Sequence, residues 1–321
     1  MKKILIVNTG GTIAMQENNF GTSLKDDINP LYATIESLST IASIIVDDFL
    51  NIPSPHMTPA LMVQLADRLI ERVKQDQLDG VVVTHGTDTL EETAYLLDLS
   101  LNWDIPVIVT GAMRSSNEVG ADGPHNLLSA VKVASCDDAK GKGVLVVLND
   151  EIHTAKNVTK SHSSNIATFQ SPQYGPIGIV TKRGVRFHHT LTKRECFKLT
   201  SLSKNIALLK AYTGMDPLLI EVIANTQIDG LVIEAFGQGN LPPGLVDPIQ
   251  KLLSKNIPVV LVSRCFSGIV QDVYSYEGGG RILKELGVIF ANGLNGPKAR
   301  LKLMVLLEHT NDLTKIQKQF E

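Results

Sequence analysis

At 321 residues the chain is long enough for two domains that each bury a core. Its 43% hydrophobic and 20% charged composition is that of an ordinary globular protein, and a formal net charge of −3 with no dominant Lys/Arg cluster argues against a nucleic-acid partner. Three widely spaced cysteines (Cys136, Cys196 and Cys265) fit neither a disulfide framework nor a paired-cysteine zinc site, so a reducing cytoplasm is the expected compartment.

The opening MKKILIVNTGG has a charged start and a short apolar run that stops at Asn8 with no A-x-A site after it. It reads as a first strand rather than a signal segment. No run approaches the roughly 18 apolar residues of a membrane span, so no membrane partner is expected. Apolar, β-rich runs near 3–8, 44–50, 80–84, 105–110 and 143–148 alternate with helical patterns, which argues for βαβ units around a parallel sheet. One helix spans 58–74: Thr58 can cap it, Pro59 suits its first position, and Leu61, Leu65, Leu69 and Val73 share one face. A second follows Asp88, with Glu91 at capping-box spacing, and a third covers 124–136. The polar, basic segment 183–205 reads as the interdomain connection, with room for a hairpin. Beyond it the rhythm restarts with strands in NIALLKAY, DGLVIEAF and IPVVLVS and helices from about Pro217, from Val246, near 279–287 and near 297–308. The expected organisation is a larger N-terminal α/β domain over 1–190, a linker over 191–205, and a smaller C-terminal α/β domain over 206–321.

Two strand ends deliver threonines into polar turns. In ILIVNTGGTIA, Gly10 and Gly11 let backbone N–H groups approach a ligand, and Thr12 opens what reads as a helix start favouring negative charge. The turn lacks both the Walker A lysine and the G-x-G-x-x-G of a dinucleotide fold, and a tight βα turn with a structural Thr12 is the plain alternative. In GVVVTHGTDTLEE, the polar run Thr84-His85-Gly86-Thr87-Asp88-Thr89 follows three valines. Asp88 alone is an ordinary helix cap, and His85 alone an ordinary packed histidine; five crowded polar side chains exceed what a simple turn needs. Lys160, in Asn157-Val158-Thr159-Lys160, is a surface lysine on spacing alone. Buried beside a carboxylate, a lysine is a possible base for a threonine hydroxyl, which needs one. Ser54, in NIPSPHMTP, either caps a turn or holds a ligand carboxylate. Asn240, after Gly237-Gln238-Gly239, either stabilises its loop or reaches a neighbouring pocket. His188-His189 has no spaced carboxylate partners, and no metal is expected.

Together these residues resemble the bacterial-type L-asparaginase family, in its cytosolic type I-like form. The likeness is carried by VNTGGTIA (7–14), VVVTHGTDTLEE (81–92), VIVTGAMR (107–114), VTK (158–160) and LNGPKAR (294–300), in order along the chain. The resemblance implies a flavodoxin-like N-terminal domain and a smaller Rossmann-like C-terminal one. It implies hydrolysis of asparagine to aspartate and ammonia, without metal or organic cofactor. Thr12 would attack the amide carbon, with Thr87 and Lys160 a second catalytic group and Asp88 orienting Lys160 and meeting the α-ammonium. Ser54 would hold the α-carboxylate, Gly11 and Gly86 would supply backbone contacts, and Asn240 would come from a neighbouring chain of a homodimer or homotetramer. The chain departs from many members in three places. Pro55 stands where a glutamine is common, segment 15–28 lacks the tyrosine that many members fold over Thr12, and Tyr274 with Glu277 stands where some send a glutamate into the neighbouring site. With fewer anchors, glutamine should be handled worse than asparagine. Other readings are a non-catalytic two-lobed amino-acid-binding module, a glutaminase-asparaginase, a subunit acting on charged tRNA, and a lysophospholipase-like enzyme.

Overall fold

A computed structural model describes residues 1–18, 21–24, 31–191 and 193–321, in two compact units, Met1–Lys198 and Leu199–Glu321. The first unit runs β1 (Lys3–Gly10), β2 (Met15–Asn18), β3 (Gly21–Leu24), α1 (Tyr32–Leu38), β4 (Ser43–Ile52), α2 (Pro59–Asp76), β5 (Gly80–Thr84) and α3 (Leu90–Ser100). It continues with β6 (Val107–Thr110), α4 (Gly123–Ala134), β7 (Val144–Leu148), β8 (Glu151–Thr154), β9 (Thr159–Lys160), β10 (Phe169–Gln170), β11 (Gly178–Thr181) and β12 (Gly184–Phe187).

An eight-stranded sheet in the order β12-β11-β8-β7-β6-β5-β1-β4 forms its centre. Strand alternation sorts the apolar runs onto two faces. Ile4, Ile6, Val82, Ile108 and Leu145 pack with Leu38 of α1 and Leu127 and Val131 of α4. Leu5, Val7, Val81, Val83, Val107 and Val109 pack with Leu65 and Leu69 of α2 and Leu90 and Leu97 of α3. Burial on both faces is why these strands read as continuous apolar runs. From β4 through β1, β5 and β6 to β7 all pairs are parallel. Counting only the strands of this sheet, that is the flavodoxin-like order 2-1-3-4-5, and its reversal lies between β1 and β5.

The sheet is mixed rather than wholly parallel. Asn149 and Asp150 both hold positive φ, 51° and 61°, so Leu148 and Glu151 close a two-residue hairpin and β8 runs back along β7. β11 then pairs antiparallel with β8, and β12 with β11. The stretch 183–205 is therefore not all connection. Gly184–Phe187 is sheet, Arg194 pairs with Asp98 at 3.2 Å, and the Phe197 N–H donates to the Leu99 carbonyl at 2.7 Å.

The second unit runs β13 (Ile206–Lys210), α5 (Leu218–Ala224), β14 (Gly230–Ala235), α6 (Val246–Ser254), β15 (Val259–Ser263), α7 (Gly280–Glu285), β16 (Ile289–Phe290), α8 (Gly296–His309) and α9 (Leu313–Phe320). Its four strands are parallel and lie side by side in chain order. Unlike a doubly wound Rossmann sheet, this one has no order reversal and so no switch-point crevice. No helix among the described residues is long and apolar enough to cross a membrane.

Candidate active site

Ligands of open α/β sheets sit beyond the carboxyl ends of the strands where strand order reverses. Here that place is the pair of turns after β1 and β5. Side-chain hydrogen bonds pin the strand ends together: Thr9 Oγ1 donates to the Thr84 carbonyl at 2.8 Å, Thr84 Oγ1 to Asn8 Oδ1 at 2.9 Å, and Asn8 Nδ2 to Asp48 at 2.6 Å. The turns then touch through backbone. A Cβ on Gly11 would lie 2.2 Å from Gly86 Cα, and one on Gly86 would lie 2.7 Å from Ser54 Cβ. Gly11 also holds φ +83°, a conformation that L side chains resist. Thr12 follows at once, half-buried, in a single 3-10 turn Thr12–Ala14 that leads into β2. The expected helix start after Gly11 is absent, because Ile13 turns into the core against Gly123 and the chain re-extends at Met15. The segment 15–28 falls only in part among the described residues, where β2 and β3 pair as a hairpin; residues 19–20 and 25–28 lie outside them.

The β5 turn gathers the polar groups. Lys160 Nζ donates to Thr87 Oγ1 at 2.9 Å and to Asp88 Oδ1 at 2.7 Å, although 73 and 72 residues separate them. The lysine side chain is 15% exposed and the Asp88 carboxylate 60% exposed. Ser54, in the 3-10 turn Ser54–His56 after β4, accepts the Asp88 N–H at 3.2 Å, and its carbonyl accepts Thr89 Oγ1 at 2.8 Å. Both hydroxyls, Ser54 and Thr87, thus serve as acceptors here. Asp88 does not cap α3: the N-cap is Thr89, and the Glu91 carboxylate, expected in a capping box, instead accepts Thr159 Oγ1 at 2.9 Å and the Lys160 N–H at 3.2 Å.

Asn240 belongs to the second unit. Its backbone pairs with Phe236 around Gly237-Gln238-Gly239, and its Oδ1 accepts the Gly280 N–H at 3.2 Å, a loop-stabilising task. In that unit Tyr274 lies with its ring 5.6 Å from that of Tyr276 and, like Glu277, is exposed. Among the described residues no group of three or more His, Cys, Asp or Glu side chains is arranged to hold a metal ion.

Residues 3–193 match the family described as Asparaginase, N-terminal, and residues 205–320 match the Glutaminase/Asparaginase C-terminal domain. The chain belongs to the asparaginase family. It is 42% identical over 313 residues to a probable L-asparaginase of Deinococcus radiodurans, covering 96% of this chain and 93% of that protein. It is 36% identical to an L-asparaginase of Bacillus licheniformis, covering 95% of each. The crystal structure of a probable cytoplasmic L-asparaginase from Campylobacter jejuni superposes with a TM-score of 0.89 at 34% identity, covering 100% of this chain and 99% of that one.

In this asparaginase-family chain, two supporting residues, Gly111 and Glu91, escaped the reading of single motifs, and a third, His85, is the packed histidine of its plain reading. Gly111, at the end of β6, lets the His85 carbonyl and the Thr87 methyl approach to 2.5 Å and 3.3 Å of where its Cβ would be. Glu91 looked like a cap. His85 is wholly buried, and its ring nitrogens lie 2.7 Å from the Gly86 carbonyl (Nδ1) and 2.9 Å from Thr93 Oγ1 (Nε2). A carbonyl only accepts, so Nδ1 carries the hydrogen and Nε2 accepts from Thr93, an assignment made from the network. The imidazole thereby fixes the Gly86–Thr87 peptide, whose N–H points away from it.

Burial pushes the His85 pKa from 6.5 down to about 4. The unfolded chain takes up this proton below about pH 6.5 while the fold refuses it, so the group costs stability as pH falls from there to about 4 and adds no further slope below. At about 1.4 kcal/mol per pK unit, the expected loss is about 3 kcal/mol across that window. Urea unfolding of the parent and of His85→Gln at stepped pH checks this: the variant should lack that part of the slope.

A second polar array, Ser171–His153–Glu151, has the partners of a serine-histidine-acid relay at 2.9 Å and 3.2 Å. Ser171 and His153 are 4% and 0% exposed, so the array ties β8 to the turn after β10 and offers no accessible nucleophile.

Proposed function

We propose that the chain hydrolyses the side-chain amide of L-asparagine to L-aspartate and ammonia, with Thr12 as the nucleophile. One observation carries this reading: Lys160, Thr87 and Asp88 are joined by hydrogen bonds beside the Gly11–Gly86 contact that holds Thr12 at the switch point. Membership of the asparaginase family supports the substrate.

The Ser54 hydroxyl donates to the α-carboxylate, and the exposed Asp88 carboxylate takes the α-ammonium. Thr12 Oγ attacks the amide carbon, the C–N bond breaks, and the proton from the attacking hydroxyl ends on departing ammonia. Water then opens the aspartyl ester and returns a proton to Thr12. Thr87 polarises the carbonyl or positions that water, and Lys160, as the neutral amine, takes the proton of that water through Thr87 before Thr12 regains it. The N–H groups near Gly11 and Gly86 are the natural donors to the oxyanion, and one such donor is worth about 3 kcal/mol. The chain is read as cytoplasmic and as a homodimer or homotetramer, with exposed Phe266, Ile269 and Val273 as apolar surface for a second copy.

Acid-quenched turnover tests the nucleophile. Ammonia release accompanied by an aspartyl ester on the peptide that contains Thr12 supports the reading; an ester on the Thr87 peptide reassigns the nucleophile, and asparagine binding without ammonia leaves a binding module. The anchors also measure the substrate. With the amino-acid head held at Ser54 and Asp88, one extra methylene displaces the amide, so kcat/KM for glutamine should fall at least about tenfold below that for asparagine. Side-by-side ammonia assays decide this, and comparable values refute it.

A further inference from the structure

We infer that Glu91 is a positioning residue for Lys160, an assignment that rests on the hydrolytic reading above. Lys160 lies on β9, which is only two residues long and pairs with the equally short β10 through Lys160↔Phe169 and Thr159↔Gln170. So small a ladder is a weak platform for a side chain with four rotatable bonds. Val158 behind it is buried in the core beside Phe169, which fixes the approach of the chain but not the lysine itself.

The fixing comes from the start of α3. Glu91 is 9% exposed and one of its oxygens, Oε1, receives both the Thr159 hydroxyl at 2.9 Å and the Lys160 backbone N–H at 3.2 Å. Three residues earlier, Asp88 holds the same lysine at its tip, 2.7 Å from Nζ. One short stretch of backbone therefore grips Lys160 at root and head. Thr87, the other partner of Nζ, belongs to the same stretch. Glu91 meets Lys160 at its backbone N–H, while Thr87 and Asp88 meet its amine. It acts by setting where the amine stands relative to Thr87, and misplacement of a reacting group by about 1 Å costs about 10²-fold in rate.

Kinetics of ammonia release from asparagine by the full chain test the assignment. Glu91→Ala should lower kcat by about 10²-fold with KM little changed. Glu91→Gln, which keeps an acceptor at the same place, should recover most of the rate. In a Lys160→Met background, Glu91→Ala should change the residual rate no further, because the amine it positions is gone. Should Glu91→Ala fail to fold, Thr159→Val, which removes the hydroxyl donor to Oε1, should lower kcat while Thr159→Ser retains it. The inference is overturned by a folded Glu91→Ala with parental kcat, by Glu91→Gln no better than Glu91→Ala, by an equal effect in the Lys160→Met background, or by a loss confined to KM. A wild-type chain that releases no ammonia, or a fully active Lys160→Met, defeats the parent reading instead.

Discussion

Lys160→Met is expected to lower kcat for asparagine by about 10²- to 10⁴-fold, the range lost with a general acid–base group. Methionine keeps most of the stem and removes only the amine. The ion pair given up, 2.7 Å long, joins a 15% exposed lysine to a 60% exposed carboxylate. A pair half open to water is worth about 0–1 kcal/mol, so the fold should survive with its melting temperature nearly unchanged. The loss should therefore fall on the chemical step: Thr87 keeps its place on the β5 turn but loses its proton partner. Asparagine should still bind, because Ser54 and Asp88 remain. Ammonia release, calorimetric binding and thermal melting on one preparation separate these effects. Parental kcat in a well-folded variant removes Lys160 from the mechanism.

Gly11→Ala is expected to damage both stability and rate. The added Cβ would sit 2.2 Å from Gly86 Cα and 2.3 Å from Gly86 N, both backbone atoms that no rotamer change can move. Reaching ordinary contact means opening the β1 and β5 turns by about 1 Å, and overpacking of this kind costs about 1–3 kcal/mol. The φ of +83° with ψ 180° lies in a region essentially reserved for glycine and adds about 1–3 kcal/mol for a residue with a Cβ. The same displacement separates Thr12 from Thr87, so kcat/KM should fall by about 10²-fold or more. Gly175→Ala is the control. Gly175 has φ +70° but nothing within 4 Å, so only the conformational cost of about 1–2 kcal/mol should appear and activity should be kept. Urea unfolding and steady-state kinetics on both variants test the argument; equal behaviour of the two would refute the idea of a tight turn–turn contact.

What was legible in the chain beforehand followed from local physics. Strands β1, β5, β6 and β7 are announced by apolar runs buried on both faces, the edge strand β4 by a half-buried one, and α2 by Thr58, whose side chain accepts the Leu61 N–H as a cap should. The antiparallel extension was not legible as such. It depends on Asn149 and Asp150 adopting positive φ, which a polar Asn-Asp pair permits without requiring. The two-residue β16 and the C-terminal α9 also lay below the reach of periodicity. At the site, Thr87 and Asp88 stood out because polar residues crowd one turn. Lys160 did not, since nothing within its own neighbourhood records a partner 72 residues away. Family likeness supplied that pairing. The spacing of Glu91 pointed to a cap because the local option and the distant one use the same carboxylate, and the distant one won.

The reversal of strand order between β1 and β5 also bears on how the protein comes into being. The groups proposed to touch asparagine in the first unit, Thr12, Ser54, the Thr87–Asp88 pair and Lys160, arrive on separate excursions of the polypeptide, and those excursions meet only when the central strands have annealed. A nascent or clipped chain thus holds scattered alcohols and a stray amine with no hydrolytic power, and the ability to split an amide arrives together with the finished sheet.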